Sequence, residues 1–273
     1  MATNFEIKKE RKNSSRIHLE ILSLLYIIMR PFFARTGSKV DMVRFLTDLE
    51  PKGYTKYIEP FVGGGSMYWS KADCNIQKII NDIHCDLITG YRLLQSGNLS
   101  NLERFNTRDM DQLNTIYNYQ GDDESCKLAQ LLVRFNNTFG SNGRGKLYKP
   151  TNPYFKLKNI EKYRETIKNT DIRCEDYLDV INEHDCKDAF LFLDPPYVSS
   201  SSGMYKHDTI NMAQLHSCLS NIQGKFLLTL DNIETNRELF KDFKQVFRTV
   251  IGKGRAKGGM GTSDRVDLII MNY

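Results

Sequence analysis

Short unbroken apolar runs alternate with stretches of helical spacing along most of the chain. Ala189-Phe190-Leu191-Phe192-Leu193 contains no polar position. Such a run suits a strand buried on both faces, as in a parallel sheet covered by helices. Lys56 to Phe61, Lys78 to Asp82, Asp171 to Tyr177, Lys225 to Leu230 and Val266 to Met271 read the same way. The alternation predicts an open, doubly wound α/β sheet.

Between Asp82 and Asp171 the pattern changes. Ser125 to Phe139 spaces Leu128, Leu131, Leu132 and Phe135 as one face of a helix. It breaks into Asn136 to Lys146, rich in glycine, asparagine and basic residues, which marks a loop facing a polar partner. The predicted organisation is an N-terminal extension over 1–30, a sheet domain from 31–90 and 170–273, and an inserted helical and hairpin lobe over 91–169. The long apolar run Leu19 to Met29 falls short of the about 20 residues a membrane span needs. Arg30-Pro31-Phe32-Phe33 follows it where a signal peptide needs small residues, so a buried helix is expected there.

Composition adds modest constraints. The 273 residues carry a formal charge of +5, with 40% hydrophobic and 26% charged positions, ordinary for a soluble globular protein. That excess suits a limited footprint on phosphate backbone, and equally an enzyme with a small anionic substrate. Cys74, Cys85, Cys126, Cys174, Cys186 and Cys218 are scattered without a CxxC pair or a Cys/His cluster. Six free thiols in a reducing compartment are expected, with neither a disulfide framework nor a metal site.

Three motifs carry chemistry. Glu59-Pro60-Phe61-Val62-Gly63-Gly64-Gly65-Ser66 follows a predicted strand. Glycines there let the backbone turn sharply and approach a ligand, or simply turn into a helix. No Gly-Lys-Ser/Thr follows, which disfavours Walker-type phosphate binding. Asp82 ends the next strand about 17 positions past Gly65, where an acid hydrogen-bonds a ribose diol or caps a helix. Asp194-Pro195-Pro196-Tyr197 follows the apolar run, where open α/β sheets place ligands. The prolines hold the backbone extended and aim the Asp194 carboxylate and a backbone carbonyl at one point, suiting an –NH2 donor. Tyr197 offers a ring on which a planar base can stack.

With those motifs in that order, the chain from about Arg30 to Tyr273 resembles the Dam-like DNA adenine-N6 methyltransferases. Pro31 to Lys39 is similar to that group's N-terminal cofactor motif, Glu59 to Gly65 to its glycine loop, and Asn81-Asp82 to its ribose-binding segment. Cys174-Glu175-Asp176-Tyr177 resembles its third cofactor-contacting strand end, Asn136 to Tyr148 its DNA-reading hairpin, and Gly261 to Leu268 its closing segment. The resemblance implies a Rossmann-like methyltransferase sheet with an inserted target-recognition lobe. It also implies S-adenosylmethionine as cofactor, held by Arg35, Lys39, Phe61, Gly63, Gly65, Asp82, Asp176, Tyr177 and Asp194. Arg35 departs from the group, which usually has an aromatic residue there; a guanidinium can also lie flat on a ring. Lys39 either pairs with the cofactor carboxylate or is a surface lysine.

The reaction implied is methyl transfer to the exocyclic amine of a flipped-out adenine in double-stranded DNA. Asp194 and the Pro195 carbonyl would accept the amine hydrogens, Pro196 fix their aim, and Tyr197 stack on the base. Asn136, Asn137, Asn142, Arg144 and Lys146 are the candidate DNA-binding residues, through base edges, phosphates or solvation alone. Neither metal nor membrane is implied, and the cytoplasm of a bacterial or virus-infected cell is the expected location. Cytosine-N4 methylation and a non-catalytic nucleic-acid-binding relative are the alternatives.

Overall fold

The computed structural model describes residues 29–72, 74–138, 141, 143, 145–148, 159–197, 210–250 and 265–273. The segment Pro31–Tyr273 forms one compact unit around a seven-stranded sheet. The strands are β1 (Lys56–Glu59), β2 (Gln77–Asn81), β3 (Asp171–Arg173), β4 (Ala189–Leu193), β5 (Lys225–Asp231), β6 (Lys244–Val250) and β7 (Arg265–Met271). Their order is β3-β2-β1-β4-β5-β7-β6. β1 to β5 run parallel, whereas β7 is antiparallel to both β5 and β6.

The parallel strands are buried on both faces, as their apolar runs predict. Ile58, Leu191, Leu193, Leu228 and Ile270 join a core with Val180, Ile181, Leu215 and Leu219. These last four lie on α7 (Tyr177–His184) and α8 (Met212–Ser220). Tyr57, Phe190 and Leu227, one position away along each strand, are equally buried on the opposite face. Since each buried apolar side chain contributes roughly 1.5–3 kcal/mol, this central layer sets the stability of the sheet.

Sequence reading places six strands and misses β6. Its residues, Lys244-Gln245-Val246-Phe247-Arg248-Thr249-Val250, are mostly polar, and Phe247 is 52% exposed. An edge strand buries one side only, so its apolar signal is weak. Some expected strand ends also shift. β1 stops at Glu59 rather than Phe61. β3 ends at Arg173 rather than running to Tyr177, because Asp176 takes the N-cap position of α7 and accepts from Leu178 N. The expected helix over Leu19 to Met29 falls on 19–28, outside the described residues, as does Gly261 to Asp264 in the closing segment.

The insertion between β2 and β3 is helical. It comprises α3 (Cys85–Ser96), a 3-10 turn (Leu102–Phe105), α4 (Met110–Tyr117), α5 (Glu124–Asn137) and α6 (Ile160–Ile167). Asp109 and Asp123 cap α4 and α5 through side-chain acceptance from Gln112 N and Cys126 N. Each such cap contributes about 1 kcal/mol. The remaining helices are α1 (Val43–Leu49), α2 (Ser66–Trp69) and α9 (Glu234–Leu239).

Strand order reverses between β1 and β4, and the loops leaving their carboxyl ends part to leave a crevice. The glycine loop, Asp82 and the Asp-Pro-Pro-Tyr motif lie where that crevice opens.

Candidate active site

A cavity of about 500 Å³ occupies the crevice. Arg35, Lys39, Phe61, Gly63, Gly65, Asp82, Asp176, Tyr177, Asp194, Pro195, Pro196 and Tyr197 all line it. The structure therefore gathers every predicted catalytic and cofactor residue around one space. Asn136, Asn137 and Lys146 do not line that cavity. Asn142 and Arg144 lie outside the described residues.

The glycine loop is stitched to the end of β2. Gly63 N donates to Asp82 Oδ2 at 2.9 Å, and Tyr91 Oη donates to Gly63 O at 2.9 Å. Gly63 and Gly65 have φ of +48° and +73°, the left-handed region that disfavours side chains. At Gly65 a Cβ would also meet Trp69 Nε1 and Tyr91 Oη at 3.1 Å. Beyond the loop, α2 is a single turn. Asp82 Oδ1 accepts from His84 N at 2.9 Å, so its carboxylate braces the start of α3 while lining the cavity.

Asn81, buried at the end of β2, brackets the cavity floor. Its side-chain nitrogen donates to Pro60 O and Glu175 O, and its oxygen accepts from Glu175 N. This fixes the loops after β1 and β3 at one height. There Phe61 and Tyr177 lie 5.0 Å apart, tilted by 36°. Tyr177 Oη is buried without a hydrogen-bond partner, and burial pushes its phenol up to about 12.

Asp194, just past β4, is held from two sides. Lys39 Nζ lies 2.7 Å from Oδ1 and 2.8 Å from Oδ2, and also donates to Gly37 O. Thr229 Oγ1 donates to Oδ1 at 2.6 Å. Lys39 is only 4% exposed, which removes the surface-lysine reading. Its ammonium also sits 4.7 Å from the Tyr197 ring centroid, joining the two ends of the Asp-Pro-Pro-Tyr motif.

Arg35 stacks its guanidinium over Phe135, 5.4 Å from the centroid, at the cavity's edge. His84 meets the same ring at 5.5 Å, and its Nδ1 is buried without a partner. Burial, reinforced by the nearby Arg35 charge, holds the His84 imidazole below its ordinary value.

Asn136 and Asn137 turn their amides into the protein. Asn136 accepts from Ala34 N through Oδ1 and donates to Leu132 O through Nδ2. Asn137 is fully buried and donates to Tyr148 O. The hairpin closes through a Thr138–Leu147 bridge, leaving Lys146 exposed.

Sequence reasoning leaves several residues of the site without a role. Glu59 is 2% exposed, accepts from Tyr57 Oη at 2.6 Å and lines the cavity. Ser38 and Ser66 share a hydrogen bond of 2.9 Å across the loop. Thr229 carries a legible signal, as the lone polar position inside Phe226-Leu227-Leu228-Thr229-Leu230. Among the described residues, no three His, Cys, Asp or Glu side chains are grouped to hold a metal. Nor is any helix there long and apolar enough to cross a membrane.

Comparison with known proteins agrees with this arrangement. The chain is 26% identical to the Type II methyltransferase M1.LlaDCHI of Lactococcus lactis subsp. cremoris, over 93% of this chain and 99% of that protein. The Type II methyltransferase M.MjaIII of Methanocaldococcus jannaschii is also 26% identical, over 90% and 99%. M.CviBI of Paramecium bursaria Chlorella virus NC1A, another Type II methyltransferase, is 23% identical over 90% and 100%. The family model of the D12 class N6 adenine-specific DNA methyltransferases matches residues 36–124 and 125–250, spanning the glycine loop, Asp82 and the Asp-Pro-Pro-Tyr motif. A half-buried carboxylate at the mouth of β4 suits either an adenine or a cytosine amine; the family decides for adenine, and this chain belongs to the D12 class of N6 adenine-specific DNA methyltransferases.

Proposed function

We propose that the cavity takes S-adenosylmethionine and a flipped-out adenine of duplex DNA side by side, with Asp194 accepting from the adenine amine. The observation that carries this reading is the Asp194 carboxylate, held at the carboxyl end of β4 by two donors while still lining the cavity.

The cavity fits such a cofactor in size and in chemistry. Small-molecule sites run to about 300–1,000 Å³. A Cβ on Gly63 would project into open space, so the backbone there lies bare to a ligand. Phe61, Tyr177 and the exposed Ile83 supply apolar surface for a flat base, and Asp82 supplies acceptors for a ribose diol. Tyr177 Oη and His84 Nδ1, both buried and unpaired, are polar atoms a bound ligand would satisfy. When bound, the cofactor supplies a sulfonium methyl group.

The chain's own residues prepare the acceptor nitrogen. Adenine N6 is a weak nucleophile because its lone pair is delocalised into the ring. Asp194 and the Pro195 carbonyl accept its two hydrogens, which frees the lone pair for in-line attack. In the transfer that the bound cofactor would support, N6 would take the methyl group, the electron pair of the broken bond would stay on the cofactor's sulfur, and Asp194 would take the proton shed by N6 and pass it to water. Tyr197 stacks on the extruded base and offsets part of the few kcal/mol that flipping costs. Lys39, held by Gly37 O, balances the charge of Asp194 beside the docking amine. Arg35, stacked on Phe135, ties the cofactor segment to the hairpin. Asn136 and Asn137 serve as its scaffold, which leaves DNA contact to Asn142, Arg144 and Lys146.

The relatives named as Type II methyltransferases support a restriction–modification role. The test is to incubate the protein with S-adenosylmethionine and unmethylated duplex DNA, digest to nucleosides and identify the product by mass spectrometry. N6-methyladenine at one short sequence, mapped by long-read sequencing, is the expected result. N4-methylcytosine, or no methylated base, would overturn the reading.

A further inference from the structure

Thr229 lies within β5, fully buried, at a position where its strand neighbours are all apolar. A hydroxyl in that setting needs an acceptor. It donates to Asp194 Oδ1 at 2.6 Å, with Leu193 O farther off at 3.4 Å. β5 pairs with β4 at Leu228↔Leu193 and with β7 at Thr229↔Ile269. The residue after each β4–β5 partner therefore meets across the strands, Thr229 against Asp194.

The two donors to Asp194 differ in kind. Lys39 reaches both oxygens from the end of a long flexible stem. Thr229 reaches Oδ1 only, from a strand bonded on both sides, and its β-branched side chain is stiff at χ1. The terminal torsion of an aspartate is broad and two-fold, so nothing intrinsic decides which oxygen faces the substrate. From this asymmetry we infer that Thr229 is a positioning residue for methyl transfer. Its hydroxyl anchors Oδ1, which leaves Oδ2, partnered by Lys39 alone, as the oxygen presented to the target amine. The inference rests on the reading of Asp194 as the amine acceptor.

The test uses the full chain with Thr229→Val, which keeps shape and removes the donor, beside Thr229→Ser and Asp194→Ala. Single-turnover transfer, calorimetric cofactor affinity, DNA affinity and thermal melting are measured for each. Thr229→Val is expected to slow transfer on the order of tenfold to hundredfold, the scale of a misplacement near 1 Å. Both affinities should stay unchanged, and Thr229→Ser should recover most of the rate. Transfer by Thr229→Val at the wild-type rate would overturn the inference. So would a Thr229→Ser no faster than Thr229→Val, or a rate loss matched by an equal loss of cofactor affinity. A Val variant that unfolds at the assay temperature hands the decision to Thr229→Ala against Thr229→Ser, where equal rates overturn it. If Asp194→Ala still transfers, both readings fall. If it is inactive while Thr229→Val is unimpaired, this inference falls alone.

Discussion

Glu59 ends β1 inside the protein, next to the Asp194 charge and under the hydroxyl of Tyr57. Burial pushes its carboxyl from the ordinary 4.5 up to about 8; the Tyr57 hydrogen bond opposes the shift and the Asp194 charge adds to it. The folded protein thus binds this proton more tightly than the unfolded chain does. The resulting stabilisation is complete below pH 4.5 and is lost as pH rises through about 8. Glu59→Gln keeps the shape and stays neutral at every pH. Its melting temperature should gain on the wild type steadily between pH 5 and pH 8 and level off above, as read by thermal melts across that range. Parallel curves would show that Glu59 does not titrate in this window. At the same scale, Asn136 and Asn137 show why a loop residue's role is hard to assign from its type. Both amides have the donors and acceptors to read a base, and tertiary structure directs them to Ala34, Leu132 and Tyr148 instead.

Among the elements, α3 joins the sheet to the insertion, and Phe33 is the piece that locks it. Gly90 on α3 lies under that ring: a Cβ there would come within 2.5 Å of Phe33 Cζ. Alanine gains about 1 kcal/mol over glycine in a helix interior, whereas overpacking costs about 1–3 kcal/mol. Phe32, Tyr91 and Phe135 surround Phe33 at 5.1, 5.2 and 5.7 Å, so the ring cannot swing aside and the clash wins. Gly90→Ala should lower the melting temperature by several degrees, at roughly 2–4 °C per kcal/mol for a domain near this size. An unchanged or raised melting point would mean that the cluster yields. The inner strands and α5 were legible because a side chain buried on a sheet or helix face leaves a periodic trace, as in Ala189 to Leu193 and Leu128 to Phe135. β6 was not, since it lies at the sheet edge, is mostly polar and leaves Phe247 exposed. The contact between Lys39 and Asp194, 155 positions apart, leaves no local trace either. Only the type of each residue and its place at a strand end hinted at a shared site.

At the scale of the molecule, strand order supplies the crevice and the insertion supplies the reach. The reversal between β1 and β4 sets the glycine loop and the Asp-Pro-Pro-Tyr motif on opposite walls of one cavity. The hairpin at the end of α5 lies on the same protein unit, tied to the Pro31–Lys39 segment by Ala34 and Arg35. The net charge of +5 favours approach to DNA without fixing where it lands. On the proposed reading, loss of Asp194 should abolish methyl transfer while leaving much of the cofactor affinity intact. Single-turnover transfer to unmethylated duplex DNA by Asp194→Ala, at saturating cofactor, tests this most directly, with calorimetry and a thermal melt on the same preparation. The account predicts no transfer by a folded variant that still binds S-adenosylmethionine, and transfer near the wild-type rate would contradict it.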